Sequence, residues 1–214
     1  LMSWLSPAYP VGAYSYSHGL EYAVDAGLVT DAESVRDWIA TILTAGSGFA
    51  DLVFVAAAWD SEPERLAPLN EFALAFQGTA EIRRDSTAQG RAFLLDTAEA
   101  WPCEAIDVLR GIPQDEVVYA VAVGAVAKSH GIGRREVMTA YAHAFAANLV
   151  SAAVRLIPLG QTDGQRITAK LMPTCVAAVE RAASTPADEV STSTPMVDIA
   201  SMKHEHQYTR LFRS

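Results

Sequence analysis

Only two cysteines, Cys103 and Cys175, stand in this chain, far apart in sequence. Two isolated thiols cannot build a disulfide framework, and such sparing use fits a reducing compartment. Basic residues are also short: 16 Lys and Arg stand against 25 Asp and Glu, for a formal charge of −9 and a pI near 5.0. Nucleic-acid binding needs clustered cations that neutralise phosphates, so the acidic balance excludes that class of partner. There is no G-x-x-x-x-G-K-[ST] loop to cradle a nucleotide and no G-x-S-x-G turn to expose a hydrolase serine. Strand alternation with hairpin turns is missing too, so neither a parallel nucleotide-binding sheet nor a β-sandwich fits. A long run over residues 137–155, charged only at its last residue, approaches the length of a membrane span. It carries Thr139, His143, Asn148 and Ser151 and leans on alanine, which favours a buried core helix with His143 as a hydrogen-bonded core histidine. The first residues are turn formers rather than a basic stretch followed by an apolar one, and no secretory signal is read there. The expectation is a cytoplasmic protein with no membrane partner.

What is present points to helices. Half the residues are hydrophobic and 19% are charged over 214 residues, enough for one well-cored domain. Val35, Trp38, Ile39, Ile42 and Leu43 follow the i, i+3, i+4, i+7, i+8 series of one helix face, with Thr30 and Glu33 as a capping box and Gly27 ending the helix before. The same period runs from Met138 to Leu156, the longest helix expected. Residues 115–127 are apolar nearly all round, which predicts a central helix, its valines outweighed by small packing residues such as Gly124. Further helices are expected over 50–60, 64–77, 79–101 and 162–184, the last bent or broken at Pro173. The result is an all-α, single-domain bundle of about eight to ten helices over residues 1–184. A flexible linker at 185–197, without apolar periodicity, and a recognition tail at 198–214 follow.

Both ends of the chain look built for contact. The stretch SPAYPVGAYSYSHGLE at 6–21 gathers two prolines, two glycines, three tyrosines, three serines and a histidine ahead of a helical pattern. Ser15 or Ser17 is expected to cap that helix. Tyr14, Ser15, Ser17 and His18 are expected at the surface, since tyrosines at a helix start cannot all be buried. Ser17 with His18 also raises a serine hydrolase, but adjacent residues point about 100° apart on a helix, which speaks against a nucleophile and base. At the other end, residues 203–213 hold three basic residues against one acidic. Tyr208, Leu211 and Phe212 have the i, i+3, i+4 spacing of a short amphipathic helix, with Arg210 and Arg213 on other faces, suited to a groove on another protein. His204 and His206 flank Glu205 as an alternating pair, but four ligands are not gathered, so no metal and no cofactor is assigned. Asp163 and Gln165 sit about Gly164 in what reads as a helix-to-helix turn capped by Gln161 or Thr162.

The stretches PVGAYSYSHGLE, IPLGQTDGQ and HEHQYTRLFRS occur here in that order, and with them nearly the whole chain resembles the urease accessory protein UreF family. Arg83, Arg84, Asp85, Ser86, Gln89 and Gly90 resemble a second, looser family pattern. The resemblance implies a non-enzymatic accessory protein that joins UreD (also called UreH) and the GTPase UreG to deliver nickel to apo-urease, and it implies a homodimer. It assigns Tyr14, Ser15, Ser17, His18, Glu21, Gln161, Asp163 and Gln165 to the side facing UreG or the second protomer. To UreD it assigns His204, Glu205, Tyr208, Arg210, Leu211, Phe212 and Arg213. A rival within the same resemblance is a protein that activates the UreG GTPase with Arg83, Arg84 or a tail arginine.

Overall fold

The computed structural model describes residues 1–214 and contains ten α-helices and no strand. They are α1 Leu20–Asp25, α2 Ala32–Ala45, α3 Ser47–Asp60, α4 Pro63–Ala75, α5 Ala80–Ala100, α6 Glu104–Leu109, α7 Tyr119–Ser129, α8 Arg134–Leu156, α9 Gln161–Ala183 and α10 Pro195–His204. The all-α bundle is as the periodicities require. α7 lies at the centre with every residue from Tyr119 to Ala127 buried, and α3 crosses it as its main partner. The helices approach so closely that a Cβ at Gly124 would overlap the Val55 carbonyl oxygen. α2, α8 and α9 pack around this pair. The segment 32–60 and α8 are each long and apolar enough to cross a membrane, yet α2 and α3 part at Gly46 and both regions are built into the core.

Local details depart from the sequence reading. α2 is capped by Asp31, whose carboxylate accepts from the N–H groups of Glu33 and Ser34, while Ser34 Oγ accepts from Thr30 and Asp31. The expected Thr30–Glu33 pair is displaced because the short Asp31 carboxylate reaches two free donors at once. Gly27 does end α1, at φ 71°, with its N–H on the Val24 carbonyl. α9 runs unbroken through Pro173: its apolar face, Ile167, Leu171, Cys175, Ala178, Val179 and Ala182, is pressed against α8, α2 and α3. His143 is exposed on the outer face of α8, not in the core, because Tyr141 and Ala142 take the inward positions of that turn.

The linker and tail are corrected most. A 3₁₀ turn at Ala187–Glu189, buried Val190 and Thr194, and the Ser193 N–H on the Ala45 carbonyl (2.8 Å) fasten 185–197 to the bundle. α10, which no periodicity announced, then packs on α1 and α5. Residues 208–212 form no helix.

Candidate functional site

The two segments singled out at opposite ends of the sequence meet in space. Gly12 (φ 72°), His18 (φ 51°) and Gly19 (φ 75°) turn the N-terminal segment into α1. Gly19 is required twice over, since α10 passes so near that a Cβ there would lie 2.7 Å from the Ser201 nitrogen. It also serves as the N-cap of α1; neither Ser15 nor Ser17 takes that position, although Ser17 Oγ accepts a long bond (3.4 Å) from the Glu21 N–H.

Glu21 faces α10 from α1, and Glu81 faces it from the first turn of α5. Between them the last residue of α10, His204, is wholly buried: Nε2 lies 2.9 Å from Glu21 Oε2 and Nδ1 3.0 Å from Glu81 Oε2. Both neighbours are acceptors, so the ring must donate from each nitrogen, which is the imidazolium. Burial alone would lower the His204 pKa, but hydrogen bonds to Glu81 and Glu21 and their charges outweigh it and raise the value. Glu21 also receives the backbone N–H groups of Leu211 (2.6 Å) and Phe212 (2.9 Å), and Arg210 reaches Glu81 at 3.4 Å. Further along the tail, the Arg213 N–H donates to the Ser15 carbonyl at 2.8 Å. Both the N–H and the hydroxyl of Ser17 donate to the Ser214 carbonyl, and the Ser214 hydroxyl donates to Asp85. Burial, first of all, pushes Asp85 up to about 8. Phe212 is buried under the Arg155 guanidinium, 4.3 Å from its ring centre, and Arg155 donates to the Tyr14 carbonyl at 2.7 Å.

These contacts divide the expected site residues. Ser17, His18, Glu21, His204 and Phe212 are buried, which corrects their placement on a contact surface: all but His18 join the two chain ends to each other. Tyr16 is buried as well, while Tyr14 is 63% exposed. Ser15 and Glu205 are half-buried, and Glu205 pairs with Arg84 at 3.0 Å. Tyr208, Arg210, Leu211 and Arg213 are exposed, as are His206 and Arg83. The His-x-His pair is split because residue 204 ends a helix pointing inward and residue 206 points to solvent. Asp163 is the N3 residue of α9, accepting from the Gly160 N–H at 3.2 Å and pairing with Arg166 at 3.0 Å. Gly160, rather than Gln161 or Thr162, is the cap, and Gln161 and Gln165 are exposed. Nothing bonds this turn to the N-terminal segment.

Sequence reasoning missed Glu81, Thr79 and Ser201, the last two joined by a 2.8 Å hydroxyl pair, and named Asp85 only as part of the looser family pattern. Glu81 and Asp85 at i, i+4 on α5 carried a weak signal, but an acidic pair at helical spacing is ordinarily a solvated face. Around these contacts α10 turns its other side outward: Met196, Ile199 and Met202, three residues apart, are each about half exposed (52%, 48% and 51%). Three apolar side chains in register on one helix make a patch that a lone surface residue does not.

The family model described as UreF matches residues 29–172. Over its whole length the chain is 45% identical to a urease accessory protein UreF of Rhodopseudomonas palustris (strain BisB5), covering 90% of that protein. It is 48% identical to one of Bradyrhizobium sp. (strain BTAi1), again covering 90%. To the corresponding protein of Methylorubrum populi it is 41% identical, covering 97%.

Proposed function

From the membership of this chain in the UreF family of urease accessory proteins, which are not enzymes, we propose that it is a cytoplasmic scaffold in the insertion of nickel into apo-urease. It holds UreD (UreH) on one surface and the GTPase UreG on another, so that nucleotide state and metal transfer occur within one assembly, and it acts as a homodimer. The exposed stripe of Met196, Ile199 and Met202 carries this reading. The opposite side of α10 is clamped by His204 and by the Thr79–Ser201 hydroxyl pair, so the stripe is presented on a fixed helix rather than on a loose one. Preorganised apolar anchors of this kind bind with little ordering cost. UreD covers the stripe together with Tyr208, Leu211 and Arg213. Tyr14, with Gln161, Asp163 and Gln165, belongs to the side that meets UreG or the second protomer. Ser17, His18, Glu21 and His204 support these surfaces from behind.

The experiment is co-purification with UreD, UreG and apo-urease, read by composition and by urease activity. Changing Met196, Ile199 and Met202 together to serine is expected to abolish UreD capture and urease activation with thermal unfolding unaltered. Tyr14→Ala is expected to weaken UreG capture alone. Undiminished UreD recovery by the triple variant would overturn the assignment of the stripe.

A further inference from the structure

A cavity of about 290 Å³ opens between the N-terminal segment, α5 and α8. Exposed Pro7, Tyr14, His143 and Ser151 stand at its mouth, and Asp51, Tyr119 and Tyr141 line it from the buried side. Asp51 is the one formally charged side chain of the lining; no Lys or Arg is among those residues. Its Oδ2 accepts the Tyr141 hydroxyl at 2.8 Å, and its Oδ1 receives no hydrogen bond from the chain. A carboxylate held away from water without a counter-ion is costly, so burial pushes Asp51 up to about 7, and a cation bound beside it would favour the charged form.

Other polar groups around it lack partners and can accept a hydrogen bond. Ser86 Oγ and His18 Nδ1 are buried without a partner, and the Gln89 side chain makes no hydrogen bond. Burial lowers His18 to about 4, so its ring is neutral and keeps a free lone pair. The backbone of His18 is held at φ 51°, a strained conformation for a side chain of this size, with the ring 4.9 Å from that of Phe145. The walls are aromatic: Trp4, Tyr9, Tyr119, Tyr141 and Phe145 all line the space.

We propose that this cavity binds a guanidinium group, paired with the Asp51 carboxylate, stacked on the aromatic walls, and giving its remaining N–H donors to Ser86, His18 and Gln89. A guanidinium is planar, weakly hydrated and rich in donors, which suits aromatic faces and several acceptors at once. An ammonium ion is more strongly hydrated and less suited to flat walls. A metal ion is disfavoured because no three His, Cys, Asp or Glu side chains come together to hold one. The volume, near the lower end of ligand clefts, accommodates the group with a short alkyl stem.

The test is titration of the full chain with methylguanidinium, followed by ligand-observed NMR and calorimetry, against N-methylurea, its neutral near-isostere. Methylguanidinium is expected to saturate one site and N-methylurea to show no saturable binding. Asp51→Asn is expected to weaken methylguanidinium binding by roughly tenfold or more, the scale of a lost charged hydrogen bond. Ala144→Trp, which plugs the lining from the partly exposed face of α8 and leaves Asp51 in place, is expected to abolish binding and keeps the test open should the Asp51 variant not fold. N-acetyl-arginine-methylamide distinguishes the source. Binding of both probes assigns the site to an arginine side chain of another protein, and binding of methylguanidinium alone assigns it to a free small cation. Equal affinity for N-methylurea, or unchanged affinity in either variant, would overturn the proposal.

Discussion

His204 sits between two carboxylates with no water to screen it, and this one side chain holds α10 and the residues after it to α1 and α5. Removing one partner of a buried ion pair leaves the other charged and unpaired, so His204→Gln is expected to cost about 3 kcal/mol or more. Urea unfolding measures it, and adding Glu21→Gln should recover part of the loss. The buried titratable groups also set a pH dependence. His204 keeps its proton to higher pH in the fold than in the unfolded chain, so its contribution is complete below its ordinary value of 6.5 and lost as pH rises through the raised one. Asp51 and Asp85 act in the same direction. The fold holds their protons up to about 7 and 8, whereas an unfolded chain releases them near 3.8, so stability falls as pH climbs through that window. The melting temperature is expected to be lower at about pH 8.5 than at about pH 6. Asp51→Asn should melt above the wild type at the higher pH, with the difference shrinking toward about pH 4.

At the scale of elements, the crossing of α3 on α7 depends on a missing side chain. A methyl group at Gly124 would meet the Val55 carbonyl, which is backbone and cannot rotate away. Gly124→Ala is therefore expected to destabilise by about 1–3 kcal/mol, against the gain that alanine gives in an ordinary helix interior. The shift of the denaturant midpoint reads the sign. Gly90 repeats the arrangement on α5, where a Cβ would overlap the Val117 carbonyl. α9 is the converse case, in which packing on α8, α2 and α3 carries a helix past a proline that would stop an isolated one.

For the whole molecule, closure of the two chain ends on each other replaces the expected separation of body and tail. From composition, deleting residues 203–214 should leave a soluble helical protein little changed. In the fold that deletion strips Glu21, Glu81 and Asp85 of their partners and uncovers the Phe212 site beside Arg155. The truncated chain is expected to lose about 3 kcal/mol or more, by the same logic of abandoned buried charges. Differential scanning calorimetry measures the loss, and limited proteolysis should find new cuts in α1 and the start of α5. Under the proposed scaffold role, a loss of UreD capture by such a variant would report unfolding of the α10 support as well as removal of contacts, which makes the serine triple variant the cleaner probe.

Most of the helices were legible in the chain because they follow from local arithmetic, α6 and α10 being the exceptions. Apolar spacing placed α2 and α8, a glycine ended α1, and the apolarity of 115–127 put a helix at the centre, although α7 starts only at Tyr119. The motif at 6–21 was legible as unusual, since prolines, glycines and tyrosines in such density have no packing explanation within one element, and 203–213 stood out as a locally basic stretch on an acidic chain. What those motifs touch was not legible. Glu21 and His204 stand 183 residues apart, and a carboxylate at helical spacing looks solvated until another helix is laid over it. α10 carried no periodic face to announce it, because its outward side is as apolar as its inward one. Asp51, a charged residue that no motif singled out, became the floor of a cavity only when Tyr141 and Tyr119 were brought to it by the packing of α8 and α7 on α3. Periodicity is a property of neighbours along the chain and fixes each helix by itself. Burial of charge is a property of neighbours in space, and only the packed bundle decides it.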